Sequence, residues 1–195
     1  MGIRVEKSSI CANGYDGIVV AVGARPCFAC FPGVEETVAA GRSVVDAPQV
    51  LVGHRPDGPR LIVVGGGVTG CETAIYLAER GFRPTLVEAE SEIVRDLGDD
   101  TRASLEVVLA NHDITVCRST RALRVSPRAL VVIKDGTVAD WEYDSVVVAV
   151  GYRPNSELAH DLRESGVPVY TAGNCAAIGR IGEAIRGGTE AALSL

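Results

Sequence analysis

The run Leu61–Leu77 constrains the fold most: Leu61-Ile62-Val63-Val64 leads into Gly65-Gly66-Gly67-Val68-Thr69-Gly70 and then Cys71-Glu72-Thr73-Ala74-Ile75-Tyr76-Leu77. An all-apolar quartet reads as a strand buried on both faces. The glycines that follow form G-x-G-x-x-G, and apolar residues then recur at helical spacing. In that setting Gly65 permits a tight turn, Gly67 lets the backbone approach a pyrophosphate, and Gly70 lets the helix pack closely on the strand. Gly65, Gly66, Gly67, Val68, Thr69 and Gly70 are therefore the candidate phosphate loop, with the helix N-terminus supplying N–H groups and partial positive charge. The next strand ends Thr85-Leu86-Val87-Glu88, which puts an acid 18 residues beyond Gly70, where a ribose-binding carboxylate belongs. Strand, glycines, helix, strand and terminal acid together read as a dinucleotide site. Glu88 accepts from a ribose 2'-hydroxyl and repels a 2'-phosphate, and Glu90 adds to that repulsion, so NAD(H) is expected over NADP(H).

Elsewhere short apolar runs alternate with amphipathic segments, the pattern of parallel strands joined by helices, and the fold class is α/β. Strands are expected over Ile3–Ser8, Gly17–Val22, Arg60–Val64, Arg83–Glu88, Ile114–Cys117, Thr120–Val125, Ala129–Lys134, Val138–Glu142, Ser145–Val150 and Pro168–Thr171. Helices are expected over Val68–Arg80, Asp100–Asn111 and Arg180–Leu195. Turn residues cluster in two linkers, Pro26–Gly33 and Gly53–Pro59. With 25 acidic and 19 basic residues the formal charge is -6, with no block of like charge, so nucleic acid is not the expected partner. The longest apolar runs, such as Gly17–Ala24 and Leu61–Val68, fall far below the roughly 18 residues of a membrane span. Met1–Lys7 lacks the apolar stretch of a signal peptide. The expected setting is the cytoplasm, without membrane attachment.

The chain also echoes itself. Tyr15-Asp16-Gly17-Ile18-Val19-Val20-Ala21-Val22-Gly23-Ala24-Arg25-Pro26 recurs as Tyr143-Asp144-Ser145-Val146-Val147-Val148-Ala149-Val150-Gly151-Tyr152-Arg153-Pro154, with nine of twelve positions identical. The shared Tyr-Asp before and Arg-Pro after the apolar strand mark one supersecondary element used twice, in two related domains.

On these motifs the sequence resembles the two-dinucleotide-binding flavoprotein reductases, in which an NAD(P)-binding domain is inserted within an FAD-binding domain. Both echo copies are similar to that group's A-T-G strand and turn, with Val22 and Val150 where Thr often stands. Val169–Ala176 is similar to its late flavin-binding G-D motif, ahead of a closing helix. Within the group, Val63–Ala74 and Ala184–Gly188 resemble the C-terminal part of the old yellow enzyme-like NADH:flavin oxidoreductases, of the 2,4-dienoyl-CoA reductase, enoate reductase and trimethylamine dehydrogenase type. The resemblance covers essentially the whole chain. It implies a Rossmann-like FAD/NAD(P)-binding fold of three β/β/α layers. A complete NAD(H) domain over 46–154 would be inserted in an incomplete FAD domain over 1–45 and 155–195. It further implies that Glu72 approaches the nicotinamide carboxamide, that Gly151 lines the nicotinamide pocket, and that Gly23, Gly173 and Asn174 belong to the flavin side.

Two departures shape the expectation. The family's FAD fingerprint lies upstream of the first echo copy, and by the spacing of the second copy it would fall ahead of Met1. Asn174 stands in place of an Asp whose carboxylate accepts more strongly from the flavin ribityl chain than an amide does. The chain is therefore expected to be the nucleotide-binding portion of an NADH-dependent flavin oxidoreductase, a terminal piece of a larger flavoenzyme. It would position NADH for hydride transfer to FAD, and by itself bind NADH and hold FAD weakly or not at all. Its partner is then the upstream flavin domain or another subunit. The alternatives are a compact NADH-dependent flavin or disulfide reductase and a non-catalytic dinucleotide-binding module. Hydride transfer is orientation chemistry between cofactors, so no catalytic side chain is expected here.

Of the six cysteines, Cys27-Phe28-Ala29-Cys30 has the spacing of a redox pair. In sequence it sits in a Pro-flanked connector, away from the nicotinamide loop, and a structural role is expected instead. Zinc needs further ligands at close spacing, and none accompany it. His54, His112 and His160 are each isolated, and no metal site is expected.

Overall fold

The computed structural model describes residues 15–195, so the strand expected over Ile3–Ser8 lies outside the described residues. Along the chain run β1 (Ile18–Val20), β2 (Ala24–Pro26), α1 (Val34–Ala39), β3 (Ser43–Asp46), α2 (Ala47–Leu51), β4 (Leu61–Val64), α3 (Val68–Ala78), β5 (Pro84–Val87) and α4 (Asp99–Asn111). They are followed by β6 (Thr115–Cys117), β7 (Thr120–Val125), β8 (Leu130–Lys134), β9 (Thr137–Trp141), β10 (Ser145–Val148), β11 (Tyr152–Pro154), α5 (Glu157–Leu162), β12 (Val169–Thr171) and α6 (Ile181–Leu193). Two units result: Pro26–Gly151, and the described residues up to Arg25 together with Tyr152–Leu195.

The larger unit is built on a parallel sheet of order β3-β10-β4-β5-β6. Side chains alternate across a strand, and here both sides are buried. Val45, Leu61, Val63, Leu86 and Val147 face a core completed by Ala47 and Val50 of α2, Cys71, Ala74 and Leu77 of α3, and Leu109 of α4. Their neighbours Val44, Ile62, Val64, Val87, Val146 and Val148 face a second core with Val125, Leu130 and Val132 of the antiparallel sheet β7-β8-β9. This is the β/β/α layering expected of the fold, and the reason Leu61–Val64 and Ser145–Val148 are buried at every position.

The domain boundaries differ from the expected ones. Residues 26–45 lie in the larger unit rather than with the flavin side, because β3 is the edge strand beside β10, in register from Ser43↔Ser145 to Asp46↔Val148. The unit also closes at Gly151 rather than at 154. Asp46 then caps α2 through a reciprocal pair, its carboxylate accepting from the Gln49 N–H at 2.8 Å while the Gln49 side chain accepts from the Asp46 N–H at 3.1 Å.

In the other unit β1 pairs in parallel with β12, from Ile18↔Val169 to Val20↔Thr171. Val20, Ala159, Leu162 and Cys175 form its buried core. The two echo copies share one form: strand β1 or β10, a left-handed glycine (Gly23, φ 76; Gly151, φ 98), then a short strand, β2 or β11. Strands expected to run on to Val22 and Val150 therefore stop short, at Val20 and Val148, where the turn begins.

Arg60, just ahead of β4, is tied to Asp144, just ahead of β10. Its backbone N–H donates to Asp144 Oδ2 at 2.9 Å and its Nη2 to Oδ1 at 2.8 Å. Hydrogen bonds from the Arg60 side chain and backbone hold the Asp144 carboxyl below the usual carboxylate range. A lowered native value means the pair stabilises the fold above the unfolded carboxylate value, about 4, and that this contribution is lost as pH falls through the native value. Urea unfolding of wild type and Asp144→Asn from about pH 6 down to about pH 2 is expected to show their difference shrinking with acid. A difference independent of pH would contradict the assignment.

Candidate functional site

Each glycine of the loop after β4 has its own reason. Gly65 has φ 107, and a Cβ there would stand 2.4 Å from the Ala149 carbonyl oxygen. At Gly70, inside the first turn of α3, a Cβ would stand 1.8 Å from the Gly65 carbonyl oxygen. The first turn of the helix thus rests on the turn it follows. Gly67 is different: it caps α3 with φ -70, is exposed, and a Cβ there would meet nothing. Neither backbone strain nor protein packing requires glycine at that position, and it has no side chain to satisfy the first-turn N–H groups of α3. Nothing stands within 4 Å of the position a Cβ would take at Gly67, which leaves room for an anion to approach the first turn of the helix. Val68 is exposed and Thr69 half-buried at that end.

Gly66 is buried and held on three sides. Its N–H donates to Glu88 Oε2 at 2.6 Å, and its carbonyl accepts from the Val94 N–H at 2.8 Å and the Cys71 thiol at 3.5 Å. Glu88, half-buried at the end of β5, also accepts from the Glu90 N–H at 2.8 Å through Oε1. Each carboxylate oxygen retains a lone pair for a further donor while the acid is locked against the loop. Val94 escaped the sequence reading. This buried, β-branched residue takes φ 43 to place its N–H on Gly66, a conformation such residues avoid, and only the fold reveals it. Burial, with Glu88 and Glu72 nearby, pushes the Cys71 thiol up to about 12, so it stays protonated and serves packing.

The larger unit thus brings together Gly65–Gly70 and Glu88. Glu72 is exposed in the first half of α3. Gly151 follows β10, whose continuation at Ala149 packs on Gly65, and its carbonyl accepts from the Cys27 N–H at 2.9 Å. Gly23, Gly173 and Asn174 belong to the other unit. There the Gly23 carbonyl accepts from the Asn155 N–H at 3.2 Å, Gly173 has φ 67, and Asn174 Oδ1 already accepts from the Gly179 N–H at 3.1 Å. Among the described residues no group of three His, Cys, Asp or Glu side chains is placed to hold a metal, and no helix is long and apolar enough to cross a membrane.

Comparison with known proteins gives the same architecture. Residues 5–178 match the model of the family described as pyridine nucleotide-disulphide oxidoreductase. An NADH oxidase of Thermoanaerobacter brockii is 29% identical over 195 residues, which span 98% of this chain and 30% of that protein. The structure of a 2-naphthoyl-CoA reductase complex superposes with TM-score 0.84 at 23% identity, covering 98% of this chain and 28% of that one. That of 6-hydroxypseudooxynicotine amine oxidase from Pseudomonas geniculata N1 gives TM-score 0.86 at 21% identity, covering 97% and 30%. The chain spans less than a third of the length of each.

Proposed function

Because the chain belongs to the pyridine nucleotide-disulphide oxidoreductase family, a family of NAD(P)H-dependent flavin oxidoreductases, we propose that it is the nucleotide-binding portion of an old yellow enzyme-like NADH:flavin oxidoreductase. Its larger unit binds NADH. The observation that carries this reading is Gly67, a glycine that neither backbone nor packing demands, opening the N-terminus of α3 to an anion. Val68 and Thr69 N–H groups would hold the pyrophosphate, and Glu88 the adenosine ribose. Glu72 and Gly151 would flank the nicotinamide, and Gly23, Gly173 and Asn174 would contact FAD. Bound NADH supplies the hydride, and this chain fixes its orientation. Asn174 has its amide oxygen partly engaged by Gly179, which is in keeping with a weak hold on FAD by this chain.

Titration of the purified chain with NADH and with FAD, followed by fluorescence and flavin absorbance, tests the reading. Saturable NADH binding with weak or no FAD retention is the expected result. Failure to bind NADH would overturn it. Glu88→Gln keeps an oxygen for the Gly66 N–H but removes the negative charge, so the preference for NADH over NADPH is expected to fall about tenfold, the order of one charge-assisted contact. An unchanged ratio of the two dissociation constants would remove Glu88 from the ribose site.

A further inference from the structure

The larger unit holds a cleft of about 640 Å³, within the size range of small-molecule sites, that shares no lining residue with Gly65–Gly70 or Glu88. Side chains alternate across a strand. Leu86 of β5 and Val116 of β6 turn to the helices, so Thr85, Thr115 and Cys117 turn the other way, toward β7-β8-β9 and into the cleft. Ile62 of β4, level with Thr85 in the sheet, lies on the same side. From the antiparallel sheet comes Trp141, half-buried at the end of β9 opposite Leu130 and packed against the second core. Two cations stand at the rim, Arg60 and Arg83. Arg60 is taken: Asp144 and Glu142 both hold its guanidinium. Arg83 is exposed and makes no ion pair among the described residues, and the hydroxyls of Thr85 and Thr115 make no hydrogen bond among them. The last charged group of the rim, Asp140, is exposed and starts on the opposite face of β9 from its neighbour Trp141. An aromatic and aliphatic wall is thus joined to one uncommitted guanidinium and two uncommitted hydroxyls.

We propose that this cleft is a binding site for small aromatic carboxylates. The ring lies against Trp141 and Ile62, where aromatic stacking and burial of apolar surface favour it. The carboxylate accepts from Arg83, whose planar fork matches two oxygens at once, and the threonine hydroxyls supply further donors. An amine on the same ring would meet Arg83 as a like charge and is rejected. Because the cleft is built without the phosphate loop, this site stands or falls separately from NADH binding.

Trp141 is the chain's single tryptophan, so its fluorescence reports on the cleft alone. The test titrates the full chain, without dinucleotide, with benzoate and separately with benzylamine. Benzoate is expected to change the emission saturably, with a dissociation constant on the order of 1 mM or tighter, and benzylamine to leave it unchanged. Arg83→Gln, at an exposed position, is expected to keep the native emission and to weaken benzoate about tenfold, the order of one charge-assisted contact. No saturation below about 10 mM benzoate would overturn the proposal. So would equal binding of benzylamine, or an affinity for benzoate that Arg83→Gln leaves intact.

Discussion

Gly70→Ala is expected to destabilise the larger unit by about 3 kcal/mol or more, at the upper end of overpacking. The added carbon would stand 1.8 Å from the Gly65 carbonyl oxygen, and that carbonyl has nowhere to go. The Gly65 N–H is bonded to the Val87 carbonyl at 2.8 Å, and its Cα lies against the Ala149 carbonyl. Relief requires α3 to lift from the sheet, which opens the core around Cys71, Ala74 and Leu77. A drop of about 6–12 °C in Tm follows from that free energy for a chain of this size. Thermal or urea unfolding checks it, and a Tm within about 2 °C of wild type would show that the helix does not rest on the Gly65 carbonyl.

Gly67→Val is expected to do the opposite, leaving the fold and removing the ligand. With φ -70 and no atom within reach of a Cβ, the substitution costs at most about 1 kcal/mol, the loss of a glycine cap. The side chain occupies the space over the first-turn N–H groups of α3, and NADH affinity is expected to fall about 100-fold, near 2.7 kcal/mol. Circular dichroism and calorimetric titration separate the two effects. Native Tm with unchanged NADH affinity would remove the phosphate loop from the site. The pair of variants therefore distinguishes a glycine required by the protein from one required by its ligand.

The strand, turn and helix of Leu61–Leu77 were legible because every residue obeys its local rule: apolar where both faces are buried, glycine where a carbonyl is too close, apolar again at helical spacing. The echo was legible for the same reason, since identical residues give the same strand, left-handed glycine and strand twice. The edge strand β3 was missed because Ser43-Val44-Val45-Asp46 offers only two apolar residues, and α2 because it is five residues long. The Asp46 and Gln49 spacing of a capping box was the available signal. Gly66–Glu88 and Cys27–Gly151 were beyond any local rule. They are contacts between segments far apart in sequence, and Gly66 and Glu88 meet because the adjacent parallel strands β4 and β5 end side by side.

The alternation of β4 and β10 between two cores bears on how such a chain can lengthen or shorten over time. Inserting or deleting one residue in either strand would exchange the complete set of side chains facing α2, α3 and α4 for the set facing β7-β8-β9, spoiling both interiors in a single event. Length variation is therefore confined to surface connections such as Gly53–Pro59, whereas the central strands can diverge only by substitution of one apolar residue for another.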